Sequence, residues 1–178
     1  MRDGDLRKSC KLLQAVATGA SVVTDKWLMD SAKAGHFLSI DAYQPSAPKQ
    51  ETEWKFRLAD VLGQAQTPFI GYTMHFTTSL LSTYNPFTEI EQVCKAAGAV
   101  KVTKKKMDKS KQVIVLAMDS DDKEAEKLMK DGIVCYNKDM LPCSILRGTV
   151  DLDSDEFKIT ESAAKETKKN RGDKKSVS

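Results

Sequence analysis

The chain has 178 residues, 40% hydrophobic and 30% charged, with 28 Lys and Arg against 25 Asp and Glu for a net charge of +3. That length suits one domain or two small ones, and the balance is that of a globular protein, which excludes a disordered or fibrous chain as a whole. No apolar run approaches the ~18 residues that span a bilayer, and the first residues, Met1-Arg2-Asp3-Gly4-Asp5, carry no apolar signal-like stretch, so an intracellular protein is expected.

In chain order, Leu6–Thr18 reads as an amphipathic helix with Leu6, Cys10, Leu13 and Ala17 on one stripe, capped by Asp5 or Asp3 and closed by Gly19. Ala20–Thr24 reads as a short buried strand of a parallel sheet. Thr24 or Asp25 then caps a helix over Lys26–Ala34, with Trp27, Leu28 and Ser31 facing inward and Gly35 as the stop. Residues 36–68, with Tyr43, Pro45, Pro48 and the polar run Lys49–Glu53, form a linker. An amphipathic piece follows at Trp54–Leu62, where Phe56, Leu58 and Leu62 are apolar.

A second α/β unit starts near Pro68. Phe69–Phe76 is strand-like, Thr77–Pro86 a polar loop, and Phe87–Ala97 a helix ended by Gly98. Ala99–Thr103 and the nearly all-apolar Gln112–Met118 are strands, the latter central, joined by a basic hairpin at Lys104–Lys111. Asp119–Lys130 is a helix, acidic first and basic last as the macrodipole prefers. Gly132–Tyr136 is a strand and Met140–Arg147 a final helix, giving the order β-α-β-β-α-β-α.

Little in the chain suggests catalysis. Cys10, Cys94, Cys135 and Cys143 form no C-x-x-C pair and sit in apolar settings, so buried free thiols are expected. His36 and His75 stand apart from them, against the converging ligands a zinc site needs. No phosphate loop, nucleophile elbow or H-E-x-x-H pattern occurs, so neither an enzyme, a metal nor a cofactor is expected. Residues 101–111 hold six lysines, and the stretch from Lys158 to Ser178 reads as a disordered basic tail. Aromatic side chains are not interleaved with those lysines, so any DNA contact would be weak, non-specific and steeply salt-dependent.

Arg7, Lys8 and Lys11 crowd cations into the start of the first helix, where the macrodipole is already positive. Each such charge disfavours the helix by about 0.3–1 kcal/mol, so a bound anion would be stabilising there. A solvated basic face is the other reading of the same residues.

The succession helix, Gly19, strand, Trp27-Leu28-x-x-Ser31, Gly35-His36-Phe37 and Tyr43, followed by a fresh start at Phe69-Ile70-Gly71-Tyr72, resembles a tandem BRCT pair of the DNA-damage response over roughly residues 5–157. The resemblance implies an α/β fold of two repeats, each a small parallel sheet flanked by helices, with the first repeat incomplete. It divides the chain into residues 1–45 (the C-terminal half of the first repeat), 46–67 (linker with a helix), 68–157 (second repeat) and 158–178 (tail). It also implies a nuclear adaptor that binds a phosphorylated protein or histone tail, a phosphate-independent scaffold being the alternative. Lys11 and Ser9 would hold the phosphate, and Lys8, where the family has Arg, would contact the ligand backbone or carboxylate, less firmly than a planar guanidinium.

Two departures carry expectations. The chain starts at the first repeat's second helix, so it reads as N-terminally truncated, without the hydroxyl-and-glycine half of the pocket, and Val16, Val22, Val23, Trp27 and Leu28 should lose packing partners. In the second repeat, Thr77, Thr78 and Ser79 offer hydroxyls, but the acidic start Asp121-Asp122-Lys123-Glu124 of the facing helix repels phosphate, so these hydroxyls read as loop caps.

Overall fold

The computed structural model describes residues 6–103, 107, 112–119 and 122–160. Helix α1 (Cys10–Thr18) begins later than the sequence suggests. Its N-cap is Ser9, with extended backbone (φ −77°, ψ 152°) and a hydroxyl that accepts from the Leu12 amide at 3.3 Å. A capping oxygen must lie on the residue just before the first turn, a position neither Asp3 nor Asp5 holds. Leu12, Leu13, Val16 and Ala17 are all buried because α1 packs on two later helices, which widens the expected single stripe. Gly19 closes the helix at φ +71°, where a Cβ would come within 2.7 Å of the Ala65 amide nitrogen. The linker thus returns directly over the end of α1, and the Gln66 amide donates to the Val16 carbonyl.

Residues 20–24 form no strand, contrary to expectation. A strand exists only through a paired neighbour, and the described sheet lies entirely within the second repeat. Helix α2 (Asp25–Ala34) follows, with Thr24 at its N-cap and Gly35 at φ +72° ending it. Trp27 and Ser31, one turn apart, clasp one residue: Trp27 Nε1 donates to the Leu38 carbonyl at 2.9 Å, and Ser31 Oγ accepts from the Leu38 amide at 3.2 Å. Thr24 N–H donates to the Tyr43 carbonyl, and the Tyr43 hydroxyl donates to Asp30. The Trp-x-x-x-Ser and Tyr positions are therefore the clasp that folds residues 36–43 back onto α2.

The expected inward face is only partly realised. Ser31 is buried, but Leu28 is 62% exposed and Phe37, stacked on Trp27 at 5.4 Å, is 78% exposed. Leu28 and its neighbour Met29 thus leave that part of α2 open to solvent. Val22 and Val23 are half-buried, whereas Val16 is fully buried because α1 draws its partners from the second repeat.

The linker helix is broken in two. Helix α3 (Pro48–Trp54) ends at Lys55 with φ +56°, and α4 (Leu58–Val61) follows. Phe56 and Leu58 would lie about 200° apart on one straight helix, so a turn between two short pieces lets both bury. The Glu51 carboxylate holds that turn by accepting from the Leu58 amide at 2.6 Å.

The second repeat runs β1 (Thr73–Phe76), α5 (Thr78–Leu81), α6 (Phe87–Ala96), β2 (Lys101–Thr103), β3 (Val113–Ala117), α7 (Lys123–Lys130), β4 (Cys135–Asn137) and α8 (Met140–Arg147). The expected order holds, with the single turn α5 inside what reads as a loop. All four strands are parallel in the order β2-β1-β3-β4, so β3 is interior as expected and shares the centre with β1. β2 and β3 flank β1 on opposite sides and do not pair with each other; the expected hairpin at Lys104–Lys111 falls, but for Met107, outside the described residues.

Alternation sorts the core. Met74, Phe76, Ile114 and Leu116 join α1, α6 and α8 in the main cluster, while Val115 and Ala117 meet Ala125 and Cys135 on the other face. The chain stays on the sheet past Lys158, where the tail was expected to begin: the Ile159 amide donates to the Cys135 carbonyl, and Ile159 is buried. The basic-tail expectation otherwise falls on residues 161–178, outside those described.

Arg147, at the end of α8, ties linker to C-terminal segment. Its Nε donates to the Trp54 carbonyl at 3.0 Å and its two terminal nitrogens bracket Glu156 at 2.9 and 3.0 Å, with Lys55 at 3.2 Å from the same carboxylate. These hydrogen bonds pull the Glu156 carboxyl down to about 2. A depressed folded value contributes stability above the ordinary carboxylate value that is lost as pH falls towards about 2. Acid titrations of stability should therefore show a component in that window that Glu156→Gln lacks, reduced by salt because the pair is partly exposed; superimposable profiles would rule the clamp out as a stabilising element.

Candidate functional site

The three residues implicated by the sequence lie together at the start of α1 but in different roles. Ser9 is solvent-exposed and its oxygen caps the helix while its hydroxyl proton points elsewhere. Lys11 is exposed and takes part in none of the described ion pairs. The first-turn amides of Cys10 and Lys11 have no intrahelical acceptor. This end of α1 therefore has open N–H groups and, within its first turn, an exposed hydroxyl and an exposed lysine, residue types chemically suited to an oxyanion.

Lys8 is engaged elsewhere. Its Nζ is 3.2 Å from Asp139 Oδ1 and 3.4 Å from Cys143 Sγ, both on the α8 end, and sits 4.8 Å from the Trp54 ring centroid. Its side chain is only 22% exposed. Lys8 from the first half thus meets Trp54 of the linker and two residues, Asp139 and Cys143, at the α8 end. No local signal could have found Asp139, which is 131 positions away.

The hydroxyl-bearing end of β1 shows what a filled anion cradle looks like. Thr77 Oγ1 donates to Asp122 Oδ2 at 2.5 Å, and the Thr78 amide donates to Glu124 Oε2 at 2.8 Å. Asp122 also caps α7, accepting from the Glu124 and Ala125 amides at 3.0 and 3.3 Å. Strand-end hydroxyl, strand-end amide and helix N-terminus are thereby all satisfied by the chain's own carboxylates, and a phosphate would meet two negative groups there. Buried His75 lies beside them, its Nδ1 2.9 Å from Thr103 Oγ1; burial pushes its pKa down, against the opposing pull of Glu124.

The cysteines are free; Cys94, Cys135 and Cys143 are buried and Cys10 partly so, and burial raises each thiol, Cys135 to about 11. Such thiols are protonated and unreactive near neutrality. Among the described residues no group of three or more His, Cys, Asp or Glu side chains is placed to hold a metal ion, and no helix is long and apolar enough to cross a membrane.

No family model matches the chain. It is similar to the DNA damage response protein Mdb1 of Schizosaccharomyces pombe, 28% identical over 165 residues that cover 92% of this chain and 26% of that protein. It is also similar to the mediator of DNA damage checkpoint protein 1 of Rattus norvegicus, 33% identical over 91 residues, half of this chain and 7% of the relative. The chain thus spans about a quarter of the length of the first relative and far less of the second. Among solved structures, it superposes on the BRCT5-BRCT6 domains of S. pombe Brc1 with a TM-score of 0.71 at 18% identity, covering 89% of this chain and 81% of that one. It also superposes on Rtt107p in complex with a phosphorylated histone, with a TM-score of 0.62 at 14% identity, covering 88% and 73%. The chain has the fold of tandem BRCT structures, and its sequence is similar to those of DNA-damage-response proteins.

Proposed function

We propose that this chain is a phosphopeptide-binding adaptor of the nuclear DNA-damage response, a phosphorylated histone tail being one candidate ligand. Residues 1–45 would be the reading half, 46–67 the linker, 68–157 the supporting second repeat and 158–178 a tail. The observation that carries the reading is the start of α1, where Ser9 and Lys11 present a hydroxyl and an exposed ammonium beside open first-turn amides. The second repeat's equivalent pocket is closed by Asp122 and Glu124, which leaves α1 as the end suited to phosphate. Relatives named for the DNA-damage response, and a similar fold solved with a phosphorylated histone, support the same choice.

In this reading Lys11 makes a charge-assisted bond to the phosphate. Lys11→Met is expected to weaken binding of a phosphoserine peptide by about ten-fold or more, as removal of one such bond does. Fluorescence anisotropy with the peptide and its unphosphorylated twin checks this, and equal affinity for the twins would sink the proposal. The phosphate-independent scaffold reading is favoured by the exposed Leu28, Met29 and Phe37. It predicts indifference both to Lys11→Met and to dephosphorylation.

A further inference from the structure

Helices α1 and α7 both begin with open amides, and the chain treats the two ends differently. At α7 the amides and the nearby strand-end hydroxyl are filled permanently by Asp122 and Glu124. Helix α1 has no acidic residue in its first turn; Glu89, which acts on the Cys10 thiol, belongs to α6. What α1 has at its N-cap is Ser9, an exposed side chain. Its oxygen accepts from the Leu12 amide at 3.3 Å and its carbonyl from the Leu13 amide at 3.0 Å, so the hydroxyl proton takes no part in the cap. The Cys10 and Lys11 amides have no intrahelical acceptor, and the Lys11 side chain is exposed. Arg7–Ser9 lie outside any helix or strand, with Arg7 exposed as well, and a first helical turn opens readily.

We propose that Ser9 is a phosphorylation site for a basophilic serine/threonine kinase, and that phosphate there closes the start of α1 to an incoming phosphopeptide. This rests on the phosphopeptide reading above and adds the regulation of the same site. Arg7 and Lys8 directly before the serine and Lys11 two residues after it form a cationic frame that suits an acidic substrate groove. In the transfer, the Ser9 oxygen bonds to the γ-phosphorus of ATP as the bond from that phosphorus to its bridging oxygen breaks. ADP leaves with that electron pair, and the hydroxyl proton passes to the kinase's general base. Phosphoserine adds a charge of about −1.5 to −2 and three acceptor oxygens where the macrodipole is positive. It does for α1 what Asp122 does for α7, but reversibly. A ligand phosphate would then meet a fixed like charge already using the amides and the Lys11 ammonium.

The test incubates the full chain with ATP and the catalytic domain of a basophilic serine/threonine kinase. Mass spectrometry locates the phosphate, with Ser9→Ala as the control for position. Modified and unmodified chains are then melted, and each is titrated with a labelled phosphoserine peptide and its unphosphorylated twin. Phosphate should appear on Ser9 and raise the melting temperature by about 2–4 °C, the size of one favourable charge at a helix start in a chain of this length. Affinity for the phosphopeptide should fall about ten-fold or more, and phosphatase treatment should reverse both changes. No phosphate at Ser9, or a modified chain that binds the phosphopeptide as tightly as the unmodified one, would overturn this proposal while leaving the phosphopeptide reading standing. If the unmodified chain binds the twins equally, the phosphopeptide reading fails and this proposal falls with it.

Discussion

Asp122→Ala is expected to destabilise the chain by about 2–4 kcal/mol. The residue is 3% exposed, and four donors converge on its carboxylate: the Glu124 and Ala125 amides, the Thr77 hydroxyl and, at a longer 3.5 Å, the Met118 amide. Loss of an N-cap alone costs about 0.5–2 kcal/mol, and each buried donor left without a partner adds about 1–3 kcal/mol where water cannot reach it. Asp122→Asn keeps a capping oxygen and should lose no more than half as much. Urea unfolding followed by circular dichroism measures both. A change below 1 kcal/mol for Asp122→Ala would mean that water replaces the carboxylate, and that the internal plug matters less than its geometry suggests. A control at Thr77→Val separates the hydroxyl bond from the cap through a double-mutant cycle.

Phe76→Ala should be the most damaging single truncation in the second repeat, at about 3–5 kcal/mol. Phe76 is fully buried on interior strand β1, and its ring meets Tyr84 and Phe87 edge-on, with centroids 6.0 and 5.8 Å apart at 88° and 84°. Its removal leaves a void walled by the sheet on one side and α6 on the other, neither of which can collapse into it without breaking the parallel ladder. Phe76→Leu keeps most of the volume and should cost less than half as much. Denaturant midpoints should fall in that order at an unchanged slope. Equal losses for the two variants would mean that ring geometry, not volume, is what the site requires. Set against the roughly 5–15 kcal/mol of a typical domain, that loss is a large fraction of the total stability.

Asp122 and Phe76 also mark the border of what was legible beforehand. Phe76 belongs to a run whose period-2 alternation announces a strand, and the order of elements from Phe69 to Arg147 was readable from periodicity, caps and glycine stops. These are local signals: a helix needs its apolar face every 3.6 residues, and a parallel interior strand needs an apolar run. The Trp27, Ser31 and Tyr43 register could be seen as a motif, but not as the clasp on Leu38, which depends on where the chain returns after Gly35. The strand expected at Ala20–Thr24 failed because strand-forming residues hold no strand without a neighbour. The helical piece expected at Trp54–Leu62 shrank to Leu58–Val61, with a separate helix over Pro48–Trp54, because burial of Phe56 and Leu58 together overrode helical continuity at Lys55.

The candidate site divides the same way. Lys11 stands out from sequence because charge at a helix start acts over a single turn, whereas Ser9 was implied by the resemblance alone and its capping role emerged only with the structure. By itself the sequence determined the α/β class, the second repeat's element order, the free thiols and the basic start of α1. Only the tertiary structure decided that Lys8 is held by Asp139 and Trp54, that Asp122 and Glu124 fill the cradle at the end of β1, and that Leu28 faces solvent. The physical reason is range. Caps, dipoles and periodicity are set by neighbours within a turn, whereas the partner of a charge or the cover over a side chain is set by which distant elements pack together, and that is a property of the whole fold.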